Sequence, residues 1–75
     1  MKNQNPSSFP QFRMFKIDAA RCSVKADDEV SPDTEIGADY ESGETVRAGC
    51  RGKVTAVSFS GGEHAMVVKI QMENG

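Results

Sequence analysis

Apolar residues in this chain alternate with polar ones, and no window of eleven or more residues places them at helical spacing. The plainest case is Ala65-Met66-Val67-Val68-Lys69-Ile70-Gln71-Met72. Met66, Val68, Ile70 and Met72 share one parity and Val67, Lys69 and Gln71 the other, which predicts a strand with one face in the core and one mixed face. Ser60-Gly61-Gly62-Glu63 reads as a hairpin connection joining it to a strand from Lys53 through Phe59. There Val54 and Ala56 fall on one parity and Val57 and Phe59 on the other, so that strand either carries a bulge or is buried on both faces. Upstream, Phe12-Arg13-Met14-Phe15-Lys16-Ile17 reads as a strand, Asp18-Ala19-Ala20 as a turn, and Arg21 to Lys25 as the next extended piece.

The middle of the chain is punctuated by Asp27-Asp28, Ser31-Pro32-Asp33, Gly37, Ser42-Gly43, Gly49 and Gly52. Turn signals at this density predict an all-β fold, a barrel or sandwich of about six or seven short strands. The expected core is Phe12, Met14, Ile17, Val24, Val30, Ile36, Val46, Val54, Met66, Val68 and Ile70. Residues 1–10 are polar, contain Pro6 and Pro10 and show no periodicity, so they read as a disordered leader to a single all-β domain over 11–75.

At 75 residues the chain holds one domain with a marginal core, and dimerisation would be one way to enlarge it. Nine basic residues against eleven acidic ones, for a net charge of −2, do not favour a nucleic-acid duplex or an anionic membrane as partner. The N-terminus has no apolar run that could serve as a secretory signal and no later run reaches membrane-spanning length, so the expected location is cytoplasmic. Cys22 and Cys50 lack the spacing of a zinc or redox site and read as reduced packing thiols.

Two segments carry a resemblance. Val24-Lys25-Ala26-Asp27-Asp28-Glu29-Val30-Ser31-Pro32-Asp33-Thr34-Glu35-Ile36 is similar to the motif V-x-x-G-D-x-V-x-x-G-x-x-I/L, and Val46 through Val57 to V-x-A-x-x-x-G-x-V-x-x-V. Both belong to biotinyl and lipoyl carrier domains, which implies a small barrel-sandwich hybrid. Asp27 and Asp33 stand where that family uses glycine to reach positive φ, whereas Ala48, Gly52, Val54 and Val57 match. In the family the two halves are joined by a hairpin whose tip presents the modified lysine; here that position is Glu41, and a carboxylate cannot accept the acyl group. The resemblance therefore implies a carrier-type domain with no modification site, no cofactor, no metal and no catalysis of its own, acting as a module that docks on a protein partner. The residues expected to carry recognition are Tyr40 and Glu41 in the Asp39–Thr45 hairpin and the basic strip Arg47, Arg51 and Lys53.

Gly49 through Val57 also resembles the KOW element of SH3-like barrels, which would make Arg47, Arg51 and Lys53 an RNA-phosphate patch on an SH3-like barrel. Two further constellations have weaker chemistry. Cys50 beside Arg51 could be an activated thiol with His64 as its base, but no third group or oxyanion element can be named. The acidic run from Asp27 to Glu44 lacks the ligand spacing of a calcium loop. Lys69 lies mid-strand, away from any tip where a ligase could reach it.

Overall fold

The computed structural model describes residues 11–73, so the leader expected over residues 1–10 lies outside the described residues. The chain forms six strands: β1 (Gln11–Cys22), β2 (Glu29–Val30), β3 (Glu35–Asp39), β4 (Thr45–Arg47), β5 (Gly52–Ser60) and β6 (Ala65–Met72). All pairings are antiparallel, in one sheet of order β2-β5-β6-β1-β3-β4. The all-β expectation holds. The sheet curls into a half-barrel. The Ala48 amide donates to the Thr34 carbonyl (2.9 Å) and the Gly49 amide to the Pro32 carbonyl (3.0 Å), tying the chain after β4 to the β2–β3 connection.

Curling creates one concave face, and that face is the core. Ile17, Ile36, Val54, Val68 and Ile70 are fully buried, with Val30, Ala48 and Cys50 beside them and Phe15, Val24, Val46 and Val57 packed around. The bulge left open by the parity of β5 is real: Val54 opposes Ile70 and Ala56 opposes Lys69, so Thr55 is the extra residue. By inserting one position it returns Val57 to the concave face, opposite Val68.

Two expectations fail in β1. Asp18-Ala19-Ala20 is not a turn; β1 runs unbroken through it while its register against β3 slips between Ile17 and Cys22, and Asp18 Oδ1 accepts the Ala20 amide (2.9 Å) within the irregularity. The strand can stay continuous because it changes partner there, from β6 over Gln11–Asp18 to β3 at Cys22. Phe12 and Met14 are not core: they are 43% and 66% exposed. The reason is parity, since Ile17 points inward and so do Phe15 and Arg13, opposite Val68 and Ile70, which leaves Phe12, Met14 and Lys16 on the convex side.

The irregular part of β1 lies directly on β3. A Cβ at Gly37 would run into the Arg21 carbonyl oxygen and stand 2.6 Å from Ile17 Cγ2, and Gly37 has φ +153°. Gly52 is equally close to β6, where a Cβ would collide with the Gln71 carbonyl oxygen. Asp27, at a position where the motif calls for glycine, has φ +77°. Its turn sits on β5 through Asp27 N–H to Val54 O and Val54 N–H to Asp28 O, both 2.8 Å.

Gly37→Ala is expected to cost about 3 kcal/mol in denaturant unfolding, because backbone must move to admit the methyl, whereas Gly62→Ala, with nothing within 4 Å of its Cβ, should change stability little. Asp27→Gly should raise stability by up to about 1 kcal/mol by removing left-handed strain, offset in part by the entropy of glycine in the unfolded chain. A loss on Asp27→Gly would mean the carboxylate, and not the backbone, is what the turn requires.

Candidate functional site

The hairpin expected at Asp39–Thr45 forms between β3 and β4 and is organised by one carboxylate. Asp39 Oδ2 accepts the amides of Glu41 (3.0 Å) and Ser42 (2.9 Å), while the Asp39 backbone pairs with Glu44 and Gly43. These bonds, that from Ser42 first, hold the Asp39 carboxyl below its ordinary value. Glu41 is exposed on the loop. Tyr40, expected to carry recognition, is half-buried: the Lys16 ammonium lies 4.6 Å from its ring centroid, and the Tyr40 amide donates to the Lys16 carbonyl (3.0 Å). Lys16 is held from the other side by Glu63 Oε2 at 2.7 Å. That hydrogen bond keeps the lysine above its ordinary pKa and the glutamate below its own, and it ties the β5–β6 turn to β1.

Tyr40 is thereby continuous with a surface that the sequence reading assigned to the core. Across β5, β6 and β1 the register sets Lys53, Gln71 and Phe12 in one row, Ala56, Lys69 and Met14 in the next, and Ser58, Val67 and Lys16 in a third. All nine share the convex face. Phe12, Met14, Val67 and Ala56 make an apolar centre, with the Lys69 ammonium 4.4 Å from the Phe12 ring centroid and no carboxylate in any of the three rows. The signal that could have found this surface was present: counting by twos back from Ile17 puts Phe12 and Met14 on the opposite face.

The basic strip is not a uniform patch. Arg51 and Lys53 line a shallow cleft of about 320 Å³ together with Glu29, Glu73, Gln71 and Met72. Lys53 Nζ is 4.0 Å from Asp27 Oδ1. Arg47, on β4, is not among the residues of that cleft, and its guanidinium donates to the Asp33 carbonyl (3.0 Å). Carboxylates thus alternate with the cations, which is poor geometry for a run of phosphates.

Cys50 and His64 do not come together. Cys50 is a core residue before β5, whereas His64 is exposed in the β5–β6 turn, at the far end of a strand whose length is roughly 25 Å. His64 has φ +58° and packs edge-on against Phe59, their centroids 6.0 Å apart. Both cysteines are free thiols, Cys22 directing Sγ to the Val24 carbonyl (3.4 Å). Among the described residues no three His, Cys, Asp or Glu side chains converge to hold a metal ion, and no helix is long and apolar enough to cross a membrane. Lys69 is mid-strand, as its position in β6 requires.

No family model, curated protein or solved structure matches the chain, so its functional reading rests on this geometry.

The pH dependence of the hairpin follows from Asp39. Its folded pKa lies below its unfolded one, so its contribution is complete above the ordinary aspartate value of about 3.9 and is lost as pH falls through the lower folded value. In an NMR titration the Glu41 and Ser42 amide shifts should therefore move together, with a midpoint below about 3.9. Asp39→Asn should remove that transition; its persistence would assign it to another acid.

Proposed function

We propose that the domain is a non-enzymatic protein-docking module, and that the convex face around Phe12 and Met14, together with the adjoining Tyr40 and Glu41 hairpin, is where the partner sits. The observation that carries this reading is the exposure of Phe12 (43%) and Met14 (66%) side by side on one regular sheet face of a small protein. Single exposed apolar residues are ordinary, whereas an aromatic and a methionine next to each other on a convex, cation-rimmed surface have the composition of an interface core. Met14 adds an adaptable contact and Phe12 a rigid one.

Three features support a carrier-type, biotinyl/lipoyl-like barrel-sandwich architecture for the module. Asp27 takes the positive φ that the motif asks of glycine, Gly52 sits where only a glycine fits, and Ala48 and Val54 of the second motif are buried. The exposed loop residue at the lysine position is Glu41, so the proposed role is docking without a carried group. The competing KOW-type RNA reading gains no observation, because Arg51 and Lys53 share their cleft with Glu29 and Glu73.

The test is capture from a lysate of the source organism by immobilised wild-type domain and by the Phe12→Ser/Met14→Ser double variant, each with and without nuclease. Proteins retained through nuclease treatment by the wild type and reduced at least tenfold on the variant are the expected result. The variant should keep its thermal midpoint, since neither side chain contributes to the concave core. Retention that is unchanged in the variant, or lost with nuclease, would contradict the reading.

A further inference from the structure

Among the described residues, the edge of β1 beside this face has no neighbouring strand. β6 pairs with β1 from Gln11 to Asp18, but on the other side β3 meets β1 only at Ile17 and Cys22. Backbone directions along β1 follow from two bonds: the Ala19 amide donates to His64 on the β6 side, and the Lys16 carbonyl accepts Tyr40 on the β3 side. Alternation then turns the N–H and C=O of Phe12 and Met14 toward the β3 side, where no described strand lies alongside them. The same two residues supply the exposed apolar side chains. Edge strands are ordinarily protected by charged side chains, prolines or bulges; Gln11–Ile17 has no proline or bulge, and its only charges are the cations Arg13 and Lys16, which an acidic strand would neutralise. Among the described residues β5 also lacks a neighbour beyond its contacts with Asp27 and Asp28, but there it presents Thr55, Ser58 and Ser60 around a single apolar side chain, Phe59, which is 60% exposed and packs edge-on against His64.

We infer that β1 receives an added strand: an extended segment of a partner protein, with alternating apolar and acidic residues, pairs with the Phe12 and Met14 backbone and extends the sheet. The inference rests on the docking-module reading and specifies what docks. Charge selects the occupant. Gln11–Ile17 carries Arg13 and Lys16 and no acid. Lys16 is already held by Glu63, whereas exposed Arg13 and the half-buried Lys69 have no ion-pair partner among the described residues. An added strand puts alternate side chains beside Phe12 and Met14 on the convex face and the others beside Arg13 on the concave one. Apolar residues suit the first set and carboxylates the second. A second copy of this chain would instead bring two cationic, carboxylate-free edges together.

The test uses the full chain and an acetylated octapeptide of alternating Val and Glu, compared with its Val/Lys counterpart and with two versions N-methylated on alternate amides. The Val/Glu peptide is expected to bind roughly tenfold more tightly than Val/Lys, a difference of about 1.4 kcal/mol. N-methylation should abolish binding in one alternating set and spare it in the other, because only every second amide faces β1. Met14→Pro removes the donor on the open edge and none toward β6, so it should abolish peptide binding in a folded protein. Should that variant unfold, the N-methyl comparison decides alone. No binding of the Val/Glu peptide, equal binding of both peptides, indifference to N-methylation, or sedimentation showing two copies joined through β1 would each overturn the inference. If lysate proteins are lost on Phe12→Ser/Met14→Ser while the peptides fail, the docking reading stands and strand addition falls; if both fail, both fall.

Discussion

One small sheet has to bury its apolar side on itself, and everything else in this structure follows from that curl. No helix or second sheet among the described residues covers it. Ile17, Ile36, Val54, Val68 and Ile70 leave water only because β1 crosses β3 at backbone distance over Gly37 and β5 crosses β6 at backbone distance over Gly52. The bonds from Ala48 to Thr34 and from Gly49 to Pro32 then tie the chain after β4 to the β2–β3 connection. Bulky residues at the two glycines would flatten the sheet, and a flat sheet of this size has nowhere to put its isoleucines.

The same constraint makes the other face available. A single curled layer has a convex side that no further layer of the described fold covers, so apolar residues there are exposed unless neighbouring side chains shield them, as they shield Ala65 and, in part, Val67. Along β5 that side is mostly polar, with Lys53, Ser58 and Ser60. Phe12 and Met14 break the pattern, and they do so where β1 has run past β3 and lost its neighbour on that side. Exposed apolar side chains and unpaired backbone therefore occur at the same residues, and that coincidence separates this surface from scattered hydrophobic exposure.

Much of this was legible in the sequence, and the failures have specific causes. Strand β6 and the β5–β6 hairpin follow from alternation and turn residues, the β5 bulge is one of the two alternatives that parity leaves open, and the Asp39–Thr45 hairpin is expected from the carrier-like resemblance. Of the two aspartates expected at positive φ, Asp27 adopts it and Asp33 does not. Phe12 and Met14 are exposed despite their hydrophobicity because parity from Ile17 sets which residues of β1 face inward. The unbroken run of β1 through Asp18-Ala19-Ala20 was not legible, because strand continuity there comes from exchanging β6 for β3, a tertiary event with no local signature. The mixing of Arg51 and Lys53 with Glu29 and Glu73 was hidden for the same reason, since it depends on β2 and the end of β6 meeting across β5.

Amide hydrogen exchange along β1 in the isolated domain tests the central claim most directly. If β1 is paired with β6 on one side and open on the other, Arg13 and Phe15 should exchange slowly while Phe12 and Met14, between and beside them, exchange at nearly unprotected rates. Uniform protection across the four residues would contradict the account, because the edge on which the docking surface depends would already be occupied.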